Sequence, residues 1–337
     1  MIKSSLSLLI AFFITLASFV AALAIGAADV SLSEVIAFVL GQTQQLDTFT
    51  QTILWELRLP RSVLAFIAGS GLALAGCNLQ IVTRNPLADP YLFGISSGAS
   101  FGVVLAMALF GFSFGIGLSL AAFIGGIVSV VLLLVIAGIN RSQQVESMLL
   151  AGVALSFLFS AFTSLILYWT DPQAVTAILF WTLGSFSRAD WGTLWLPAIV
   201  VSVCLIIMLA NQKKLTALLL GDESAFTLGI NPARLRVQML VLSSLITACL
   251  VALCGGIGFV GLMIPHIVRF FVSQGNRWSF VSTALCGGVF MLWVDIASRI
   301  ALQNQELPIG IITSAIGSVF FLTMLFIRRQ KRQRYIT

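Results

Sequence analysis

The chain has 337 residues, of which 59% are hydrophobic and only 9% are charged. Soluble domains carry about a quarter of their residues as charges, so this composition excludes a soluble globular protein. An outer-membrane barrel would alternate polar and apolar residues over strands of about ten residues. Here the apolar runs continue unbroken for about twenty residues, as in Phe114–Gly138. The composition therefore predicts an all-α polytopic membrane protein.

Ten stretches are apolar and long enough to cross a bilayer. In chain order they are Leu6–Ala28, Ser62–Val82, Tyr91–Leu109, Phe114–Gly138, Met148–Trp169, Thr193–Ala210, Val237–Cys254, Gly255–Val272, Ser279–Ser298 and Leu307–Ile327. The first resembles a signal peptide, but its 23 residues exceed the usual apolar core of about 7–15. We interpret it as a transmembrane helix. Gly255–Val272 is rich in glycine and interrupted by proline, and we count it as the eighth span.

The connections between these spans differ in character. Asp29–Leu59 is predicted to lie outside the membrane and to contain an amphipathic helix at Leu32–Leu40. Asp171–Trp191 is half polar and is predicted to lie along the membrane interface. The other polar segments are the loop Asn140–Ser147, the long break Asn211–Arg236 and the basic tail Arg328–Thr337. We treat residues 1–337 as a single transmembrane domain.

The positions of the basic residues predict the orientation. With ten spans and both termini in the cytoplasm, only Arg58, Arg61, Arg188 and Arg299 lie outside, which leaves 14 of the 18 basic residues inside. The net charge of +6 therefore reflects topology and contact with anionic membrane lipid rather than nucleic-acid binding.

Small residues recur at helical spacing in three spans. They are Ala65, Gly69, Ala73 and Cys77 in the second, Gly94, Gly98 and Gly102 in the third, and Gly310, Ser314 and Ser318 in the tenth. Such residues let helix backbones approach closely in lipid, so the pattern predicts a tightly packed bundle.

Several kinds of chemistry have no sequence support. The phosphate-binding pattern GxxxxGK[ST] does not occur, so ATP hydrolysis is not expected on this chain. The five cysteines fall in apolar segments without metal-ligand spacing, which predicts packing roles and no metal site. The helix centres lack charged residues, which disfavours an ion-coupled secondary transporter, although that class remains the alternative. Neutral polar residues that could line a passage are Ser96, Ser97, Ser100, Thr163 and Ser164.

Five sequence blocks resemble the FecCD-type permeases, the membrane subunits of binding-protein-dependent ABC importers for iron–siderophores, haem and vitamin B12. They are LRLPRSVLAFIAGSGLALAGCNLQIVTRNPLADPYLFGISSGAS, beginning at Leu57, then LGDESAFTLGINPARLR at Leu220–Arg236, GGIGFVGLMIPHIVRFF at Gly255–Phe271, VDIASR at Val294–Arg299 and ELPIGIITSAIG at Glu306–Gly317. The resemblance covers nearly the whole chain and is least clear over the first fifty residues.

The resemblance implies a homodimer in the cytoplasmic (inner) membrane of a bacterium. Two cytoplasmic ATPase subunits would carry ATP and Mg, and a soluble substrate-binding protein would dock outside, so no cofactor is expected in this chain. The cargo would be a metal chelate of the iron–siderophore, haem or cobalamin type. An oxyanion such as molybdate or tungstate is the alternative, because neutral walls with Ser and Thr suit either.

The resemblance also gives roles to particular residues. Arg58, Arg61 and Arg299 occupy the positions that dock on glutamates of the binding protein, although they could instead anchor helix ends, with Arg299 paired to Asp295. Gly221, Asp222, Ala225, Leu228 and Gly229 match the pair of short helices that fits a groove on the ATPase. In that interpretation the acidic residues suit a helix N-terminus, and the small Ala225 permits close docking.

Overall fold

A computed structural model describes residues 2–26, 28–42, 44, 46–111, 116–137, 145–276, 278–303 and 305–334. Their α-helices are α1 (Ile2–Ala24), α2 (Leu32–Val39), α3 (Thr48–Thr52), α4 (Leu59–Val82), α5 (Ile95–Phe110), α6 (Ile116–Ile136), α7 (Val145–Trp169), α8 (Pro172–Thr182), α9 (Trp191–Ala210), α10 (Gln212–Leu219), α11 (Asp222–Thr227), α12 (Pro232–Cys254), α13 (Val260–Val268), α14 (Ser279–Ile300) and α15 (Ile309–Arg334). Within these ranges there is no β-strand, so the all-α prediction is confirmed.

Nine of the ten predicted spans coincide with apolar helices. Seven helical stretches in the described chain are long and apolar enough to cross a bilayer, and two shorter apolar helices cover Leu9–Ala24 and Ile95–Leu109. The predicted ends Phe114 and Gly138 lie outside the described residues, as does most of the loop Asn140–Ser147. The basic tail continues α15 as helix as far as Arg334.

The eighth predicted span is wrong as a single helix. The chain leaves α12 at Gly255, whose φ of 73° is left-handed, and α13 begins only at Val260 after a second positive φ at Phe259. Nine helical residues rise about 13 Å, which is less than the roughly 30 Å hydrocarbon core. An extended stretch of glycines before a short helix therefore replaces a continuous helix here.

The second span begins earlier than predicted. Asp47 caps α3 by accepting from the Thr50 amide, and helical structure then continues without a break from Thr48 to Val82. Ile53–Arg58 forms the wider π-helical turn, which ends just before Pro60. Since a proline ring clashes with the carbonyl four residues earlier in a regular α-helix, this wider turn gives the ring room. The predicted connection Asp29–Leu59 is thus partly helix, and its amphipathic part is confirmed as α2.

The third span begins later than predicted, because residues 90–93 form a 3₁₀ turn instead of α-helix. The Asp89 carboxylate accepts from the Tyr91 amide at 2.9 Å and starts this turn. Gly94, with φ of 77°, ends it, and α5 follows at Ile95.

α4 lies at the centre of the bundle, where 83% of its most apolar window is buried. A Cβ on Gly69 would lie 2.1 Å from the Gly287 carbonyl oxygen of α14, and one on Gly76 would lie 1.9 Å from the Gly261 oxygen of α13. Helix backbones touch at these points, as they do where Gly98 of α5 meets Gly125, which confirms close packing for the second and third spans. In the tenth span Ser318 is exposed and does not pack inward.

The bundle has two ends that matter for function. We call the first the Arg61 end, where α4 begins and α14 ends. We call the second the Asp222 end, where α4 ends at Val82 and α12 begins. α14 runs antiparallel to α4, since Ser70 bonds to Ala284 and Arg61 to Asp295.

Candidate functional site

Arg58 is buried at the Arg61 end and holds the end of α1. Its guanidinium donates to the carbonyl oxygens of Leu23 at 2.5 Å and Ala24 at 3.0 Å, and also to that of Ala28. Leu23 and Ala24 belong to the last turn of α1, whose carbonyls have no partner within the helix, so Arg58 caps that end. The side chain is 5% exposed, so in this structure it anchors a helix, while docking by Arg58 stays a prediction.

Arg61 and Arg299 share the carboxylate of Asp295, which is fully buried. Arg61 Nε donates to Asp295 Oδ1 at 2.8 Å, and Arg299 Nη2 lies 3.2 Å from Oδ2 without hydrogen-bond geometry. Arg299 also donates to the Ala22 carbonyl at 3.0 Å. The predicted Asp295–Arg299 pair is confirmed, and the three groups join α1, α4 and α14.

Arg61 differs from the other two arginines because it also reaches an exposed carboxylate. Its Nη1 lies 2.5 Å from Glu306 Oε1, and the Glu306 side chain is 45% exposed. Of the three predicted docking residues, Arg61 is therefore the one connected directly to the surface.

A second ion cluster at the Asp222 end joins α11 to α4 and α12. Both Asp222 oxygens accept from Arg236, at 2.9 and 2.6 Å, and Oδ1 also accepts from Arg84 at 2.8 Å. Arg236 Nε donates to the Val82 carbonyl at 3.1 Å. The hydrogen bonds from Arg236 and the charges of both arginines hold the pKa of Asp222 below its ordinary value. The carboxylate is therefore ionised at neutral pH.

The predicted pair of short helices is present as α10 and α11. Gly221 precedes α11, and Gly229 follows it with φ of 74°. Ala225 is fully buried against its own chain, so its small side chain lets α11 lie on the bundle and does not face outward. The large apolar side chains exposed around α11 are Leu220, Phe226 and Leu228.

A largely open cavity of about 460 Å³ lies where four segments of the bundle meet. Its walls come from the turn before α5, the end of α8, the glycine stretch before α13 and the start of α15: Asp89, Tyr91, Leu92, Ser96, Thr182, Leu183, Gly256, Gly258, Phe259, Leu262, Gly310 and Ser314. The Tyr91 hydroxyl accepts from the Ile257 amide and fixes the two irregular segments against each other. The walls are mostly apolar, with one carboxylate.

Only one of the predicted pathway residues, Ser96, lines this cavity. Ser97 and Ser100 lie on the same helix, half-buried, and Ser164 is exposed. The Thr163 hydroxyl is buried, with no hydrogen-bond partner among the described residues. Helical spacing could not show which face of α5 meets the cavity, or that no described side chain of α7 lines it.

A smaller cavity of about 220 Å³ lies at the Arg61 end, lined partly by Arg188, Cys254 and Glu306. Three segments separate it from the larger one and are tied by backbone hydrogen bonds. Ser185 N–H donates to the Cys254 carbonyl, Ile309 N–H to that of Gly184 and Gly310 N–H to that of Leu183, at 2.9, 3.1 and 2.9 Å. We call these three bonded segments the neck.

Sequence reasoning missed three groups of this site. Asp89 was visible in the polar loop RNPLADP but had no role assigned. Glu306 is the next acidic residue after Asp295 and the last one in the chain, and its position could have indicated a second partner for the arginines at this end. Arg84 and Arg236 were counted as topology charges, and only the fold brings them to Asp222.

The match to known proteins extends over almost the entire chain. A model of the FecCD transport family matches residues 14–328. The chain belongs to the FecCD transport family. The sequence-based prediction of that family is confirmed, and with the apolar spans it makes this chain a multi-pass membrane permease.

Individual members of the family show how far the similarity extends. The hemin transport system permease protein HmuU of Yersinia pestis is 33% identical over 85% of this chain and 88% of its own. The molybdate import system permease protein MolB of Haemophilus influenzae is 36% identical, over 84% and 83%. A solved structure described as a metal-chelate type ABC transporter in an inward-facing conformation has a TM-score of 0.81 and 34% identity, over 94% and 97%.

Proposed function

We propose that this chain is the membrane subunit of a binding-protein-dependent ABC importer that carries a metal chelate. The observation that carries the proposal is the arrangement of the two ends. Each has an ion cluster beside exposed side chains, and the cavities and neck lie between them. The family membership and the likeness to a transporter described as of metal-chelate type support it.

The charges support an orientation with the Asp222 end in the cytoplasm. Arg84, Arg236, Lys213 and Lys214 lie at or beside that end, whereas the opposite end has the four arginines predicted outside. Basic residues are enriched in cytoplasmic loops. The termini are then cytoplasmic, and the membrane is the cytoplasmic membrane of the cell.

A separate ATPase would bind α10 and α11. Leu220, Phe226 and Leu228 are 73%, 61% and 65% exposed, and an exposed apolar cluster outside the membrane is typical of a protein interface. Asp222 connects this surface through Arg84 to the segment that contains Asp89 and Tyr91. Movement of α11 would therefore reach the cavity wall through one ion pair and a few residues of backbone.

A second copy of the chain would complete the pathway. Among the long spans of the described chain, α15 and α7 bury the smallest shares of their most apolar windows, 17% and 22%. α15 also lines the larger cavity with Gly310 and Ser314. A homodimer that covers α15 would bring the cavities of the two copies together along its axis.

The cavity wall favours a neutral or cationic chelate over an oxyanion. Its lining includes the Asp89 carboxylate and no Arg, Lys or His. Oxyanions are bound by arginine forks and backbone amides, and a carboxylate would repel them. Molybdate remains the second candidate, because a relative of 36% identity is a molybdate import permease.

Reconstitution tests the proposal directly. The chain is assembled in liposomes with the ATPase and binding protein of the same importer, and uptake of ferric siderophore, haemin, cobalamin and molybdate is compared. We expect uptake of one chelate that requires ATP and the binding protein and is insensitive to a proton gradient. Uptake that follows the gradient without ATP would show a secondary transporter instead, and ATP-dependent uptake of molybdate alone would refute the chelate assignment.

A further inference from the structure

The contact between Arg61 and Glu306 places an internal carboxylate where a partner's carboxylate would have to bind. Arg61 is buried, with 11% of its side chain exposed, whereas Glu306 is 45% exposed and lies in the connection between α14 and α15. The exposed glutamate therefore covers the one predicted docking arginine that leads to the surface.

The Arg61 guanidinium is incompletely used. Nε binds Asp295 and Nη1 binds Glu306, but the buried Nη2 has no hydrogen-bond partner within the described part of the chain. A carboxylate prefers two parallel bonds from an arginine. An incoming carboxylate that takes Nη1 and Nη2 together would satisfy a donor that Glu306 leaves unmet.

The charges at this end favour an added negative group. Arg61 and Arg299 lie against the buried Asp295, and Arg61 also pairs with the exposed Glu306. Arg58 lies near Arg299 and Asp29. If Glu306 moves away, these three arginines outnumber the two remaining carboxylates, Asp295 and Asp29. A partner's carboxylate restores the balance that Glu306 provides in the isolated chain.

Glu306 is also next to the neck. It lines the smaller cavity, and Leu307 exchanges hydrogen bonds with Ser298, while Ile309 and Gly310 donate to the carbonyls of Gly184 and Leu183. The residue that covers Arg61 therefore lies three positions before the backbone bonds that separate the two cavities.

We propose that Glu306 is an internal stand-in for a carboxylate of the substrate-binding protein: it pairs with Arg61 in the undocked permease and is displaced on docking. Displacement frees the segment that leads into the neck, so docking and loosening of the neck occur together. The inference rests on the proposed docking of a binding protein at this end.

Binding affinity of the importer's own purified substrate-binding protein for the permease in nanodiscs tests the proposal. Glu306→Gln should bind about two- to fivefold tighter than wild type, the range expected when an accessible ion pair no longer competes. Arg61→Ala should bind at least tenfold more weakly. Glu56→Gln removes an exposed carboxylate from the same end that makes no ion pair among the described residues, and its affinity should equal that of wild type.

A second readout needs no partner. In a chain where Cys254 is retained and the other four cysteines are replaced by Ala, Glu306→Gln should speed labelling of Cys254 by a small methanethiosulfonate, because Cys254 lies at the neck. Equal or weaker binding of Glu306→Gln, with Arg61→Ala impaired, overturns the stand-in role. Unchanged binding of Arg61→Ala overturns docking itself. Unchanged Cys254 labelling, with tighter binding, refutes the link to the neck.

Discussion

Replacing Asp222 by Asn should weaken the connection between α11 and the cavity. The carboxylate accepts three hydrogen bonds, two from Arg236 and one from Arg84, at 2.6 to 2.9 Å. Asparagine keeps one acceptor oxygen but loses the charge. Arg236 is 5% exposed and would be left without its counter-ion.

The size of the effect follows from the burial of the two partners. Removing one member of a buried ion pair costs about 3–5 kcal/mol, and an exposed pair contributes about 0.2–1 kcal/mol. Here Arg236 is buried but Asp222 is 40% exposed, so we expect a loss of about 1–2 kcal/mol in stability. Since α11 is then no longer held to Arg84, substrate carried per ATP hydrolysed should fall several-fold.

The assay measures uptake and ATP hydrolysis on the same liposomes, together with the unfolding temperature of the permease in detergent. Glu223→Gln is the matched control, because Glu223 is an exposed acid in the same helical turn and makes no ion pair among the described residues. If Asp222→Asn lowers the unfolding temperature but keeps the wild-type ratio of uptake to ATP hydrolysis, the ion cluster does not transmit motion.

Three further outcomes are expected. Gly69→Val should destabilise the permease by about 1–3 kcal/mol through overpacking, because a Cβ added at Gly69 would lie 2.1 Å from the Gly287 oxygen. In the control Gly258→Ala, the added Cβ would have no atom within 4 Å, and the unfolding temperature should be unchanged. The pKa of Asp222 is depressed below 3.8, so its stabilisation is complete above that pH and is lost as the pH falls through the lower folded value. The amount of substrate carried per ATP hydrolysed should therefore be unchanged when the Asp222 end is acidified to pH ~5. A fall in this ratio between pH 7 and 5 that occurs in wild type but not in Asp222→Asn would contradict the prediction. Asp89→Asn should reduce the preference for a chelate over molybdate about tenfold in competitive uptake, and an unchanged preference would show that Asp89 does not select the cargo.

Features that depend on local composition were predictable. In lipid every backbone polar group must be bonded within its own segment, so an apolar run of sufficient length is almost always a helix. That rule located nine spans, and amphipathic spacing located α2, where the structure adds a capping box between Ser31 and Glu34. It failed at Gly255–Val272, because backbone groups there are bonded outside a helix: the Cys254 carbonyl accepts from Ser185 N–H and the Ile257 amide donates to the Tyr91 hydroxyl.

The sequence by itself determined that this chain is a helical permease of a known transport family with two differently charged ends. Only the tertiary structure decided what its charged residues do. Arg61 and Glu306 are separated by 245 positions, and Arg84 and Asp222 by 138, so no local pattern could pair them. The same holds for Ala225, whose small size was predicted to permit close docking and which is buried against its own chain. An ion pair or a buried face depends on which helices become neighbours, and that is settled by the packing of the whole bundle.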